Sequence, residues 1–129
     1  MEEKFNEATK NRPEGDRPVD GPELLLDIDT FYKQLRSEKA WKKNDHNAIT
    51  LFKTNGMTIV LVALHANCEV NPDSVEHVVS LQVLKGKIKF KGNAEEITVK
   101  ENQVIAVNRG IKHSIKSAKK SLVLLTIAN

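Results

Sequence analysis

"NQVIAVNRGIKHSI", residues 102–115, reads as a β-strand, a tight turn at Gly110 and a second extended run entered at His113. The same grammar repeats on both sides. Upstream, "NAITLFKTNGMTIVLVALH" (47–65) is two β-rich runs joined at Asn55-Gly56, the strongest short-range hairpin signal. Between these stretches lie "VEHVVSLQVL", "KIKFKG" and "EEITVK". Downstream come "HSIKS" and "SLVLLTIA". Breaks fall at Gly86, Gly92-Asn93, Glu101-Asn102 and Gly110. Eight or so short strands at this spacing predict an all-β, mainly antiparallel sandwich or small barrel over about 47–127. Strands do not alternate with long helices, which excludes a parallel α/β sheet.

The first part of the chain has a different character. Residues 1–22 hold all but one of the four prolines, and six acidic against four basic residues. With little to bury, they read as an N-terminal arm or disordered tail ahead of a single domain over 23–129. "LLLDI" (24–28) reads as a short strand. Asp29 then reads as the N-cap of one short amphipathic helix over about 30–39, with Phe31 and Leu35 on its apolar face.

At 129 residues, 40% hydrophobic and 29% charged, the chain is a soluble-type domain long enough to bury a core. Its longest apolar run, "IVLVAL", is too short for a membrane span. The first residues carry no stretch suited to a secretory signal, so a cytoplasmic location is expected. Cys68 is the only cysteine. That excludes a disulfide framework and a thiolate metal cluster, and Cys68 reads as a small buried hydrophobe. The net charge of +3 hides ten Lys/Arg against three Glu over residues 85–120. Aromatics are only 5% of the chain and no nucleic-acid motif accompanies the lysines, so nucleic acid is a minor expectation.

"VLKGKIKF", followed about twenty residues later by "NQVIAVNRGIKHSI", resembles the cupins, small jelly-roll barrels. The family's motifs have the forms G-x5-H-x-H-x3/4-E-x6-G and G-x5-P-x-G-x2-H-x3-N. In the second, Gly110 and His113 match, while Asn102, Asn108 and Ser117 replace the first Gly, the Pro and the Asn. In the first, Gly86 matches the closing glycine. Val79 stands where the ligating Glu belongs, and Val75 or Ser74 and Asp73 or Pro72 stand for the two histidines. The resemblance implies a jelly-roll cupin barrel and a homodimer, with residues 1–28 a candidate to reach the partner. It also implies that three of the four metal ligands have been lost.

Val75, His77, Val79, Leu81 and Val83 share one strand face, so His77 should point inward with His113. These two histidines are the candidate ligand-binding residues, and as interior imidazoles they need hydrogen bonds, to each other, to water or to backbone. Asp73, His77 and His113 could make an atypical two-His, one-carboxylate set for Fe, Mn, Ni or Zn. Asp73 and His77 are about 13 Å apart along an extended strand, so a bend would be required.

His65 ends its strand near the barrel rim, and His46 lies in a polar loop and reads as solvated. In "KGKIKFKG", Lys85, Lys87, Lys89 and Lys91 share a face opposite Ile88 and Phe90, a candidate anion-binding row or a solvent-facing guard against edge pairing. No catalytic nucleophile or paired-carboxylate site is recognisable, Glu95 and Glu96 pointing to opposite faces of a strand. The expected function is a non-enzymatic barrel without a cofactor that binds a small organic ligand or acts in assembly. The alternatives are a metal-dependent enzyme with the atypical set, and an anion- or nucleic-acid-binding module using the lysine row.

Overall fold

The computed structural model describes residues 4–6, 12, 15–72, 75–93 and 95–129. Two sheets face each other. The larger contains β3 (His46–Lys53), β4 (Met57–Leu64), β6 (Val78–Lys85), β9 (Val104–Val107) and β11 (Ser121–Ala128), in the order β3-β4-β11-β6-β9. The smaller contains β5 (Glu69–Val70), β7 (Lys87–Lys91), β8 (Ile97–Lys100) and β10 (Ser114–Ser117), in the order β5-β10-β7-β8. All pairings in both sheets are antiparallel. The Asn55-Gly56 hairpin joins β3 to β4 as its turn chemistry predicts.

Strand alternation creates two apolar layers. Val79, Leu81 and Val83 of β6, Val107 of β9 and Val123 of β11 turn inward. There they meet Ile88 and Phe90 of β7, Val99 of β8 and Ile115 of β10. These side chains form one continuous core between the two sheets. A second layer forms on the outside of the larger sheet, where Ile49, Leu51, Leu61, Ala63 and Leu122 are covered by Tyr32, Leu35 and Trp41.

Those three residues come from α1 (Ile28–Ser37) and α2 (Lys39–Lys43). The single helix expected over 30–39 is thus two, because Glu38 has an extended backbone (φ −80°, ψ 150°) and breaks the run. Asp27, not Asp29, is the N-cap, its carboxylate accepting from the Thr30 amide at 3.3 Å. "LLLDI" is not a strand. Leu24–Asp27 form an irregular lead-in to α1, and Leu25 points into solvent.

Before α1, β1 (Lys4–Asn6) pairs with β2 (Arg17–Asp20), and Val19 and Asp20 are buried. Arg12 grips Glu38 through two guanidinium nitrogens at 2.8 Å, and Asn47 bonds both Glu38 and the Leu35 carbonyl at 3.0 Å. Arg17 caps the Thr50 carbonyl at 2.6 Å. The arm segments within the described residues are therefore tied to the helices and to β3. Among the described residues, no helix is long and apolar enough to cross a membrane.

Candidate functional site

One end of the barrel is built by two loops. The loop after β9 turns at Gly110 (φ +81°), and its amide donates to the Val75 carbonyl ahead of β6 at 2.7 Å. The two half-motifs read from sequence are therefore neighbours in space. Their backbone-shaping positions keep their geometry: Gly86 has φ +87°, and Asn102, in a glycine position, has φ +67°, which Asn tolerates. His113 follows the turn and is 4% exposed. Its Nδ1 lies 3.0 Å from the Ile111 carbonyl and its ring stacks on Phe90, with centroids 5.4 Å apart. Its Nε2 is buried and has no hydrogen-bond partner among the described residues. Of the partners expected for an interior imidazole, His113 thus has a backbone carbonyl, and no hydrogen bond joins it to His77 among the described residues. His77 lies in a bend before β6 and is half-buried, so strand parity does not hold it in the barrel. Asp73 lies outside the described residues.

A different trio comes together where β3 begins. His46 is not in a loop: it opens β3, paired across from Leu64, with its side chain partly open to solvent. Its Nδ1 is 2.7 Å from Asp45 Oδ1 and 4.0 Å from Cys68 Sγ, and the three donor atoms all lie within 4.8 Å of one another. The Asp45 carboxylate is held below its usual range by the hydrogen bond from His46. Burial, with the Asp45 charge adding to it, pushes the Cys68 thiol up to about 11. The thiol is thus held in its protonated form at neutral pH.

The surroundings of this trio are rigid. Asp45 accepts the His65 amide at 2.9 Å, while the His65 ring stacks on Trp41 at 3.5 Å and reaches the Trp41 carbonyl at 2.7 Å. Cys68 is clamped by Ser117: its amide donates to Ser117 Oγ, and its carbonyl accepts the Ser117 amide, both at 2.9 Å. Sequence spacing hid the trio because Cys68 is 22 residues from His46. Only the return of the chain after β4 brings them together.

The sequence matches no family model and no curated protein. Its fold does match solved structures. The cupin domain of Cnp3 from Schizosaccharomyces pombe aligns over 100% of this chain and 88% of its own, at 23% identity and a TM-score of 0.62. A cupin superfamily protein of Desulfitobacterium hafniense aligns over 66% of this chain and 78% of its own, at 15% identity and a TM-score of 0.62. A salicylate 1,2-dioxygenase mutant from Pseudoaminobacter salicylatoxidans aligns over 79% of this chain and 34% of its own, at 12% identity and a TM-score of 0.69. The chain has the cupin fold.

A cupin barrel implies a metal bound by the motif side chains, and the described residues at those positions do not fit one. Val79, in the glutamate position, is 1% exposed and packed in the aliphatic core, where it offers no donor. At the histidine positions Val75 and Pro72 offer none either, and their alternatives Ser74 and Asp73 lie outside the described residues. Among the described residues at the motif positions His113 is then a single donor, and a divalent ion needs about three.

The outer faces of this cupin barrel differ in charge. On the smaller sheet, Lys87, Lys89 and Lys91 alternate with buried Ile88 and Phe90. Lys87 lies opposite Lys100 and Lys89 opposite Lys116, with Glu96 4.0 Å from Lys89. Lys85 belongs elsewhere: it ends β6 in the larger sheet, its Nζ 5.4 Å from the Tyr32 ring centre, because the chain changes sheets at Gly86. On the larger sheet, the part of the outer face beyond the helices carries no charged residue among those described. Its rows run Met57–Ala128–Val78, Thr126–Ser80–Ala106 and Gln82–Val104, bordered by Ile59 and Leu124, which pack partly against the helix-covered layer. Val104 is 56% exposed there.

Proposed function

We propose that this chain is a non-enzymatic cupin that serves in assembly, pairing with a second copy of itself through the uncharged outer face of the larger sheet. The observation that carries this reading is the run of Met, Val, Ala, Thr, Ser and Gln across β4, β11, β6 and β9, in a chain that is 29% charged. A hetero-partner would be marked by a charge pattern to complement. A face with no charge, carrying hydroxyl and amide groups that both donate and accept, is compatible with its own two-fold copy. The interior supports the same reading, since the core between the sheets is lined by apolar side chains such as Val79, Leu81, Val83, Ile88 and Phe90.

Size-exclusion chromatography with light scattering tests it. The wild type should run at twice its chain mass, and Gln82→Lys or Ser80→Glu at the chain mass with an unchanged circular dichroism spectrum. Like charges brought together across a two-fold axis cost several kcal/mol, enough to weaken pairing by roughly a hundredfold or more. A monomeric wild type, or charged variants that still pair, would refute the proposal.

His113 supports a second reading, a small organic ligand held at the barrel end. Its unpartnered Nε2 would give such a molecule one polar anchor among apolar walls. A compound that raises the melting temperature of the wild type and not of His113→Phe would establish it. A broad screen without such a compound would leave assembly alone.

A further inference from the structure

The trio at the start of β3 has a composition the barrel interior lacks: three chemically different metal donors, brought to one point by two segments of the chain. Thiolate, imidazole and carboxylate are the side chains that hold zinc, and three protein ligands with one solvent-facing position is a common arrangement. We infer that Asp45, His46 and Cys68 form a zinc-type site at the rim of the barrel, separate from the family's interior position.

The distances carry the inference. An ion with bonds of about 2.0 Å to oxygen and nitrogen and about 2.3 Å to sulfur, in tetrahedral geometry, spreads its donors roughly 3.3–3.6 Å apart. Here His46 Nδ1 to Asp45 Oδ1 is 2.7 Å and His46 Nδ1 to Cys68 Sγ is 4.0 Å, with the whole set inside 4.8 Å. Shifts of about an ångström, within the reach of side-chain torsions, convert one arrangement into the other. The backbones need not move, since Cys68 is clamped by Ser117 and His46 is held in the β3–β4 ladder.

The pattern of exposure also suits an ion. Cys68 is buried and fixes the inner side, while the Asp45 side chain is 62% exposed and that of His46 42% exposed, leaving an approach from solvent. The carboxylate now draws in the protons of the imidazole and the thiol. A dication would replace both contacts, with the thiol proton passing to water and the imidazole carrying its proton on Nε2 instead of Nδ1.

Cobalt(II) titration of chelator-treated, tag-free protein is the test, because a cobalt–thiolate bond gives a near-ultraviolet charge-transfer band that carboxylate or imidazole binding alone does not. The expected result is a band that saturates at one equivalent and is displaced by zinc. Cys68→Ser should remove it. Asp45→Asn and His46→Asn are placed at exposed positions that leave the fold intact, and each should weaken binding by about 10–100-fold or more. His77→Ala and His113→Ala should leave the titration unchanged. No band at millimolar cobalt would overturn the inference. So would a band insensitive to Asp45→Asn and His46→Asn, or one lost in His113→Ala. The chain mass measured by light scattering is independent of all these outcomes, so failure here does not touch the assembly reading.

Discussion

Ser117 sits where the second cupin motif places an asparagine, and its removal should show what that position does in this chain. The side chain is fully buried. Its hydroxyl donates to the His65 carbonyl and accepts the Cys68 amide at 2.9 Å, joining the end of β4, the Cys68 turn and β10. Ser117→Ala removes the oxygen and leaves the buried Cys68 N–H and the His65 C=O without that partner. An unsatisfied buried group costs about 1–3 kcal/mol, so a loss of about 2 kcal/mol is expected. For 129 residues, an unfolding entropy near 2.1 cal/mol/K per residue converts this to a melting temperature lower by roughly 7 °C. Thermal melts followed by circular dichroism would measure it. Hydrogen exchange at the Cys68 amide should accelerate more than exchange in β6, whose ladder is untouched. A melting temperature within about 1–2 °C of wild type would refute the reasoning, since it would mean that water or a backbone shift replaces the hydroxyl at no cost.

The two turn glycines of the motif should respond unequally to alanine. At Gly86 (φ +87°) a Cβ would fall 2.5 Å from the Lys120 carbonyl oxygen and 2.8 Å from Ser121 Cα, backbone atoms that cannot swing aside. Gly86→Ala should cost about 2–5 kcal/mol from strain and overlap together. Gly110 (φ +81°) has open space around it, so Gly110→Ala should cost only the left-handed penalty of about 1–2 kcal/mol. Urea unfolding of both variants would show the difference, and equal losses would sink the steric account. Glu38 should make the arm sensitive to acid. Burial pushes its carboxyl up, but hydrogen bonds from Arg12, Asn47 and Gln34 outweigh burial and bring it below its usual value. A lowered folded-state value means that the contribution is complete above the usual carboxylate range and is lost as pH falls through the folded value. The urea midpoint should therefore drop on acidification by more in wild type than in Arg12→Gln; equal drops would show that the pair contributes nothing.

Period and turn chemistry made the barrel legible. Asn55-Gly56, Gly86 and Gly110 each mark a real reversal, and the alternation in β6 and β7 sorts inward from outward residues as a pleated strand must. Helix boundaries were less legible, because Asp27 and Asp29 are equally good caps in sequence, and packing of Tyr32, Leu35 and Trp41 on β3 and β4 decides where the helices start and break. The site was least legible. His77 has the parity of an inward residue, yet β6 begins only at Val78, and a residue outside the ladder does not inherit the strand's facing. Asp45, His46 and Cys68 have no spacing pattern at all, since their meeting depends on the fold of the loop after β4.

The separation of charge between the two outer faces bears on which face can join two copies. Directly opposed like charges in a sheet are destabilising, by tenths of a kcal/mol to about 1 kcal/mol per pair, and Lys87–Lys100 and Lys89–Lys116 both carry that cost. Pairing through the smaller sheet would bring these lysines against a second set and multiply the repulsion. Pairing through Ser80, Gln82, Val104 and Thr126 puts the two basic faces at opposite ends of the assembly, more than a barrel's thickness of about 10 Å apart and beyond strong interaction at physiological salt. Electrostatics alone therefore favours the uncharged face. It also leaves both lysine faces open to solvent in the pair, where association should depend only weakly on ionic strength.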